Sequence, residues 1–289
     1  MYHSISDIVK ICKEDNKEFW QVVLESDANE RGVSVQESMD AMHGLYQAMK
    51  RADTEYKPEL RSASGLVGGD GEKLHIYNES GKNICGDFIG RVMEKAVSMG
   101  ESNACMRRIV AAPTAGSCGV IPAVFISAQE KMLISDDVMT HAMYVAAGVG
   151  NVIADNASIA GASGGCQAEI GSASAMAAAG LAYIQGGDEW DMANAAAMAL
   201  KNMLGLACDP VCGLVEVPCV KRNVAGAVNA VTSAQMAMAG IRSAIPVDEV
   251  IDAMRRIGSE MPENIRETAK GGLAVTPTAI QIKNRLKSN

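Results

Sequence analysis

From Gly171 to Leu181 the chain reads Gly-Ser-Ala-Ser-Ala-Met-Ala-Ala-Ala-Gly-Leu, with no charge and no bulky face. Alanine, methionine and leucine are strong helix formers, so the run predicts a helix. A helix that is apolar all round is buried and must be enclosed by other elements. Its serines can bond back to carbonyls of their own helix. The side chains are small, so the enclosing helices can bring their backbones close.

The rest of the chain agrees with that demand. Three Phe, six Tyr and two Trp stand against eighteen Met in 289 residues. Sheet interiors favour branched and aromatic residues, so the expected fold class is all-α, with Ala/Met-rich central helices joined by Gly/Pro-rich loops. A chain of this length can bury roughly 75% of its unfolded surface and needs no staples. No linker, repeat or low-complexity tract divides it, which makes residues 1–289 one unit, with a helical N-terminal part over about 1–60 and a core over about 60–280.

Local punctuation places the elements. Ser34-Val-Gln-Glu37 fits a capping box ahead of a helical run through Met39, Met42, Leu45, Tyr46 and Met49. Residues 62–83 read as a loop rich in Ser, Gly and Asn, followed by an amphipathic helix over about 84–99. Further helices are expected over about 188–206, 221–241 and 247–257, and after Pro277, with a Pro- and Gly-broken loop over 208–218.

Charge and patterning exclude several functions. A formal net charge of −8 with no basic run longer than a pair, such as Arg107-Arg108, argues against nucleic acid as partner. The uncharged stretch 109–129 holds Pro113, Gly116, Gly119 and Pro122, which would leave backbone groups unpaired in lipid, so it reads as protein interior and not as a membrane span. The opening Met1-Tyr-His-Ser-Ile-Ser-Asp-Ile lacks the apolar core of an export signal, so the expected location is the cytoplasm, with reduced thiols. The four histidines are too scattered for a zinc site, and no lysine sits in a setting recognisable for pyridoxal phosphate.

Eight cysteines remain to be explained. Cys166 follows Gly161-Ala-Ser-Gly-Gly, while Cys208, Cys212 and Cys219 share a loop with Pro210, Gly213 and Pro218. Gly and Pro give thiolates a backbone free to bend around an iron–sulfur cluster, but the spacing matches no ferredoxin run, and buried inert thiols are the competing reading. Two polar glycine-rich loops accompany them: Ser62-Ala-Ser64-Gly65 through Gly69, and Pro113-Thr114-Ala-Gly116-Ser117. Hydroxyls beside free amides suit a carboxylate or phosphate; ordinary turns are the alternative.

Together these stretches resemble the α chain of iron–sulfur-dependent L-serine dehydratases. The resemblance rests on the Ser62 loop, on Ala112-Pro-Thr-Ala-Gly-Ser-Cys-Gly, on Asn156-Ala-Ser-Ile-Ala-Gly-Ala-Ser-Gly-Gly-Cys-Gln-Ala-Glu, on Cys208-Asp-Pro-Val-Cys-Gly-Leu-Val-Glu-Val-Pro-Cys-Val-Lys-Arg-Asn and on Glu267-Thr-Ala-Lys-Gly-Gly. It implies dehydration and deamination of L-serine to pyruvate and ammonia, without pyridoxal phosphate, by a [4Fe–4S] cluster with one open iron acting as Lewis acid. The implied ligands are Cys166, Cys208 and Cys219, with Cys212 the nearest substitute. The substrate's carboxylate and ammonium would lie among Ser64, Gly65, Gly69, Thr114, Gly116 and Ser117. Gln167 and Glu169 are expected behind the ligands, and Asn156, Lys221, Arg222 and Asn223 are further motif positions. For the base, His141 and Lys73 are the candidates, although a histidine in an Ala/Met-rich helix is more often a core residue. The resemblance also implies a separate β chain. Two alternatives are a cysteine desulfidase, in which the leaving group is a thiolate, and a non-catalytic iron–sulfur protein for electron transfer or sensing.

Overall fold

The computed structural model describes residues 2–288, and among them there are helices and no strand. In chain order the helices are α1 (Ile5–Asp15), α2 (Phe19–Arg31), α3 (Val35–Thr54), α4 (Asp70–Glu79), α5 (Gly86–Ala104), α6 (Val120–Met132) and α7 (Asp136–Asn156). They continue with the single turn α8 (Gly161–Gly164), α9 (Ser172–Ile184), α10 (Glu189–Lys201), α11 (Cys219–Met238), α12 (Val247–Glu260) and α13 (Pro277–Lys287). The all-α expectation holds.

Caps fix the starts that the sequence marks. The Ser34 hydroxyl accepts from the Glu37 amide at 3.2 Å, and the Glu37 carboxylate accepts from the Ser34 amide at 2.8 Å. The same reciprocal pair, Ser4 with Asp7, opens α1.

Helix α9 is the axis of the molecule. All but one of its residues are buried, and α6, α7, α10 and α11 pack around it. One continuous core runs from Tyr2 to Met254 through these helices. The packing depends on missing side chains. A Cβ on Gly180 would overlap the Phe125 ring of α6, and one on Gly226 of α11 would stand 2.8 Å from Ile170. Where α5 meets α11, a Cβ on Gly100 would stand 3.2 Å from the backbone of Val220.

Three boundaries differ from expectation. Residues 62–83 are not all loop: α4 occupies 70–79 on the flank of α5. Only Gly71 of α4 is buried, so the helix has no apolar stripe to announce it. Helix α5 runs on to Ala104 and α11 begins at Cys219 itself, two residues before the expected start. Among the described residues no helix is long and apolar enough to cross a membrane.

Two glycine substitutions should have opposite effects. In Gly180→Ala the fully buried Phe125 ring must move, at a cost of about 1–3 kcal/mol that outweighs the gain in helix propensity. Gly44 in α3 is exposed with nothing within 4 Å of an added Cβ, so Gly44→Ala should stabilise by about 0.5–1 kcal/mol. Urea-unfolding midpoints that move down for the first and up for the second are the expected result.

Candidate active site

Cys166, Cys208 and Cys219 lie in segments separated by forty-one and then ten residues, and the fold brings them near enough that the charges of Cys166 and Cys219 both bear on Cys208. Cys166 ends the Gly-rich loop and leads into a π turn, Gln167–Gly171, that continues as α9. Single π turns inside helices recur at functional sites. The fully buried Gln167 locks this turn: its amide donates to the Met254 carbonyl at 3.1 Å, and its Oε1 accepts from the Gly205 amide at 2.9 Å. Gln167 also donates its backbone amide to Leu206, two residues before Cys208.

Cys208 is held from the other side by the C-terminal loop. Its amide donates to the Ile265 carbonyl at 2.8 Å, and its carbonyl accepts from the Glu267 amide at 2.7 Å. Cys219 is the first residue of α11, so helix amides favour negative charge beside its sulfur. One turn further, Arg222 donates to the Ala207 carbonyl at 2.6 Å and to the buried Asp209 carboxylate at 2.9 Å, and its positive charge bears on the Cys166 thiol. Asn223 ties α11 to the second polar loop, donating to Gly116 and accepting from the Gly119 amide.

Two carboxylates complete the pocket. Thr114 donates to Glu169 Oε1 at 2.8 Å, and the Cys208 thiol lies 3.9 Å from Oε2. A Cβ on Gly161 would stand 2.8 Å from Glu169 Oε2, 3.0 Å from Cys208 Sγ and 3.2 Å from Glu267 Oε2. Gly116 faces Glu169 in the same way, at 3.1 Å. Only glycine fits these two positions without crowding the acidic groups.

The donor set suits a cluster. Burial pushes the Cys166 thiol up to about 11, with Arg222 pulling the other way. Burial, then the charges of Cys166 and Glu169, push Cys219 up to about 12. Cys208 is raised by burial and by the negative charge of its neighbours Cys166, Glu169, Glu267 and Cys219. Burial raises Glu169 too. Three sulfurs and two carboxylates with one guanidinium among them are accommodated either with protons on sulfur or with positive charge between them. Soft thiolates suit Cu(I), Zn²⁺ and iron–sulfur clusters. Among the described residues no three acidic, thiol or imidazole groups converge on a single ion. Cluster ligands need no such convergence, because each thiolate binds a different iron.

The other sequence candidates fall in different places. Ser62 and Ser64 both donate to the buried Glu216, Ser62 at 2.9 Å. The amides of Gly68, Asp70 and Gly71 close on Glu101, which is 1% exposed, at 2.9–3.2 Å. The first loop is thus an anion nest, as its composition suggests, but the anion is the protein's own. Gly65 and Gly69 take left-handed φ of 74° and 77° as turn residues of this loop. Thr114, Gly116 and Ser117 line the Glu169 side, with Thr114 and Ser117 hydroxyls 3.1 Å apart. Lys73 and Lys221 both pair with Asp70, at 2.8 and 3.1 Å, with their side chains largely exposed. Asn156 caps toward the N-terminus by donating to the His3 carbonyl. Cys212 is half-buried on a tight turn over 211–213 with φ 59°.

His141 is not brought to the thiols. It stacks on Trp20 at 3.7 Å and contacts the Tyr183 hydroxyl at 3.3 Å, near the end of α9. Tyr183 lies roughly 17 Å along α9 from its start near Cys166. Glu267 has the reverse history: its segment belongs to the sequence resemblance, but nothing local marks its carboxylate as a pocket group. Its pairing with Cys208 spans some sixty residues and is visible only in the fold.

The family model for the serine dehydratase alpha chain matches residues 14–274. The probable L-serine dehydratase alpha chain of Bacillus subtilis is 44% identical over 99% of this chain and 95% of its own length. The L-serine dehydratase alpha chain of Peptoniphilus asaccharolyticus is 40% identical over 98% and 97%. An L-serine dehydratase of Helicobacter pylori is 32% identical over 95% of this chain, which spans 62% of that protein.

The Arg222–Asp209 pair should be a strong coupling at the base of the pocket. Asp209 is 6% exposed, so Arg222→Met should cost about 3 kcal/mol in urea unfolding by leaving that carboxylate unpaired. Adding Asp209→Asn to Arg222→Met should recover part of the loss. Strict additivity of the two single substitutions would show that the ion pair contributes nothing.

Proposed function

Because the chain belongs to the serine dehydratase alpha-chain family, we propose that it is the alpha subunit of an L-serine ammonia-lyase, converting L-serine to pyruvate and ammonia. In this reading Cys166, Cys208 and Cys219 hold a [4Fe–4S] cluster, and a separate beta chain completes the enzyme. What supports it is the proximity of three thiols distant in sequence, which bear on one another's charge, with Glu169 beside the Cys208 sulfur and Arg222 one turn along α11 from Cys219. When bound, the cluster supplies a Lewis acid at the iron that no cysteine ligates, easing departure of the substrate hydroxyl.

The remaining work falls to protein groups. The elimination breaks the Cα–H and Cβ–O bonds; the C–H electron pair becomes the new double bond, and the hydroxyl leaves as hydroxide, which becomes water with the proton taken from Cα. The resulting aminoacrylate tautomerises to an imine and takes up water, giving pyruvate and ammonia with no oxidant or reductant. Glu169 is the group placed to accept the Cα proton, at Oε2. Its Oε1 is held by Thr114, and the backbones at Gly116 and Gly161 pack closely against the carboxylate. Lys73 is tied to Asp70 and His141 to Trp20 and Tyr183, so Glu169 takes the role for which the sequence suggests those two. With the first loop occupied by Glu101 and Glu216, the substrate's polar groups meet Thr114, Gly116 and Ser117.

Anaerobic iron and sulfide analysis, with pyruvate formation measured on the assembled enzyme, tests the ligands. Cys166→Ser, Cys208→Ser and Cys219→Ser should each lose the cluster and the activity, while Cys85→Ser, at an exposed site, and Cys212→Ser should keep both. Loss in Cys212→Ser with retention in Cys208→Ser would overturn the assignment.

Glu169→Gln should lower kcat by about 10²–10⁴-fold, with iron content unchanged and KM little altered. Loss of iron in parallel with kcat would make Glu169 a holder of the site and not its base.

A further inference from the structure

Behind the cysteine loop lies a second cavity of about 290 Å³, between α8, α12 and the C-terminal loop. Arg255 and Arg266 face it, with the hydroxyl residues Ser158, Ser163 and Ser259 and the apolar wall of Met254. Of the described residues that line it, none is aspartate or glutamate. That is unusual placement in a chain of net charge −8, where carboxylates outnumber cations.

The two guanidiniums are incompletely satisfied. Arg266 has a buried Nε without a hydrogen-bond partner, and its one contact is a long 3.5 Å approach of Nη1 to the Ser163 carbonyl. A buried N–H left open costs free energy unless an acceptor arrives. Arg255 bonds Asp252 at 2.6 Å, but the same carboxylate also serves Arg256 at 2.9 Å, so the group keeps net positive charge. An Arg fork pairs by two parallel hydrogen bonds with a carboxylate or a phosphate, and a cavity of this size suits a small organic acid.

We propose that this cavity binds a small organic carboxylate between Arg255 and Arg266, at a site separate from the thiol pocket. The hydroxyls of Ser158, Ser163 and Ser259 hold its further polar groups. The inference rests on the cavity alone and not on the proposed lyase activity. Occupancy also reaches the thiol pocket, because Arg266 is the bridge residue opposite Cys208, flanked by the two backbone bonds to Ile265 and Glu267. A carboxylate that fixes Arg266 should therefore stiffen the Cys208 segment.

The test is binding of pyruvate and of acetate to the full-length protein, followed by ligand-observed NMR at constant ionic strength, with inorganic phosphate and chloride as competing arms. Pyruvate should bind, and Arg255→Gln and Arg266→Gln should each weaken it about tenfold or more. Carboxylate bound in the thiol pocket would survive both changes. Arg255 is on the surface of α12, so Arg255→Gln remains informative should Arg266→Gln not fold. Hydrogen exchange at the Cys208 and Glu267 amides should slow on adding pyruvate, and this readout requires neither cluster nor turnover. Pyruvate affinity unchanged in Arg255→Gln, or binding of phosphate but of neither carboxylate, overturns the proposal.

Discussion

The thiol pocket depends on how closely α9 and α11 can cross. At the crossing Gly226 faces Ile170, and Ser174 donates to the Gly226 carbonyl at 2.8 Å while accepting from Asn229 at 2.8 Å. Cys166 lies about one turn before Ile170, and Cys219 two turns before Gly226. The separation of two sulfurs is therefore set by a backbone contact between helices, reinforced by side chains that are themselves fully bonded. A larger residue at position 226 would push both helices apart, and with them the two cysteines. Small residues throughout α9 give the same control against α6, α7 and α10, which is the structural use of so few aromatic residues.

Around this crossing the loops are organised by buried carboxylates. Glu101 gathers the amides of Gly68, Asp70 and Gly71, and also the Tyr56 hydroxyl at 2.5 Å. Glu216 gathers Ser62 and Ser64; Asp209 gathers Arg222 and the Leu273 amide. Each is a short-range hub that joins segments distant in sequence, and each is satisfied by donors that a flexible loop would otherwise offer to water. Glu169 differs. It has one firm donor, Thr114, and its other oxygen faces the Cys208 thiol and the close backbone of Gly161. That asymmetry separates a carboxylate that shapes the fold from one left available for chemistry.

How much of this was legible beforehand follows from range. The helices with caps or stripes could be read, because a capping box or an apolar face is written within a few residues; α3 and α9 are the clear cases. Helix α4 could not, since it buries little beyond Gly71 and is tied to α5 by polar side chains, His75 and Asn78 to Glu94 and Glu79 to Arg91. The cysteine loops stand out by composition, and the free amides expected in the first glycine-rich loop are there, turned to a carboxylate of the protein itself. The identity of the anion was hidden, because Glu101 lies within an ordinary helical pattern and its burial is a tertiary fact. The same holds for His141, whose partner Trp20 is on another helix, and for Glu267, whose position is set by pairing with Cys208.

That last pairing gives one short segment two chemical faces. Glu267 takes a left-handed φ of 62°, and its side chain and that of Arg266 turn to different neighbours. Here Glu267 reaches the thiol side, where a Cβ on Gly161 would meet its Oε2, while Arg266 reaches the Ser163 carbonyl on the other side. Cys208 is clamped between the two by the bonds to Ile265 and Glu267. A displacement of this segment cannot alter one face alone: the same backbone bonds that set the Cys208 sulfur also set both charged groups. Negative groups crowd the face toward Cys208 and acceptors are few on the face toward Ser163, and one short backbone segment carries both.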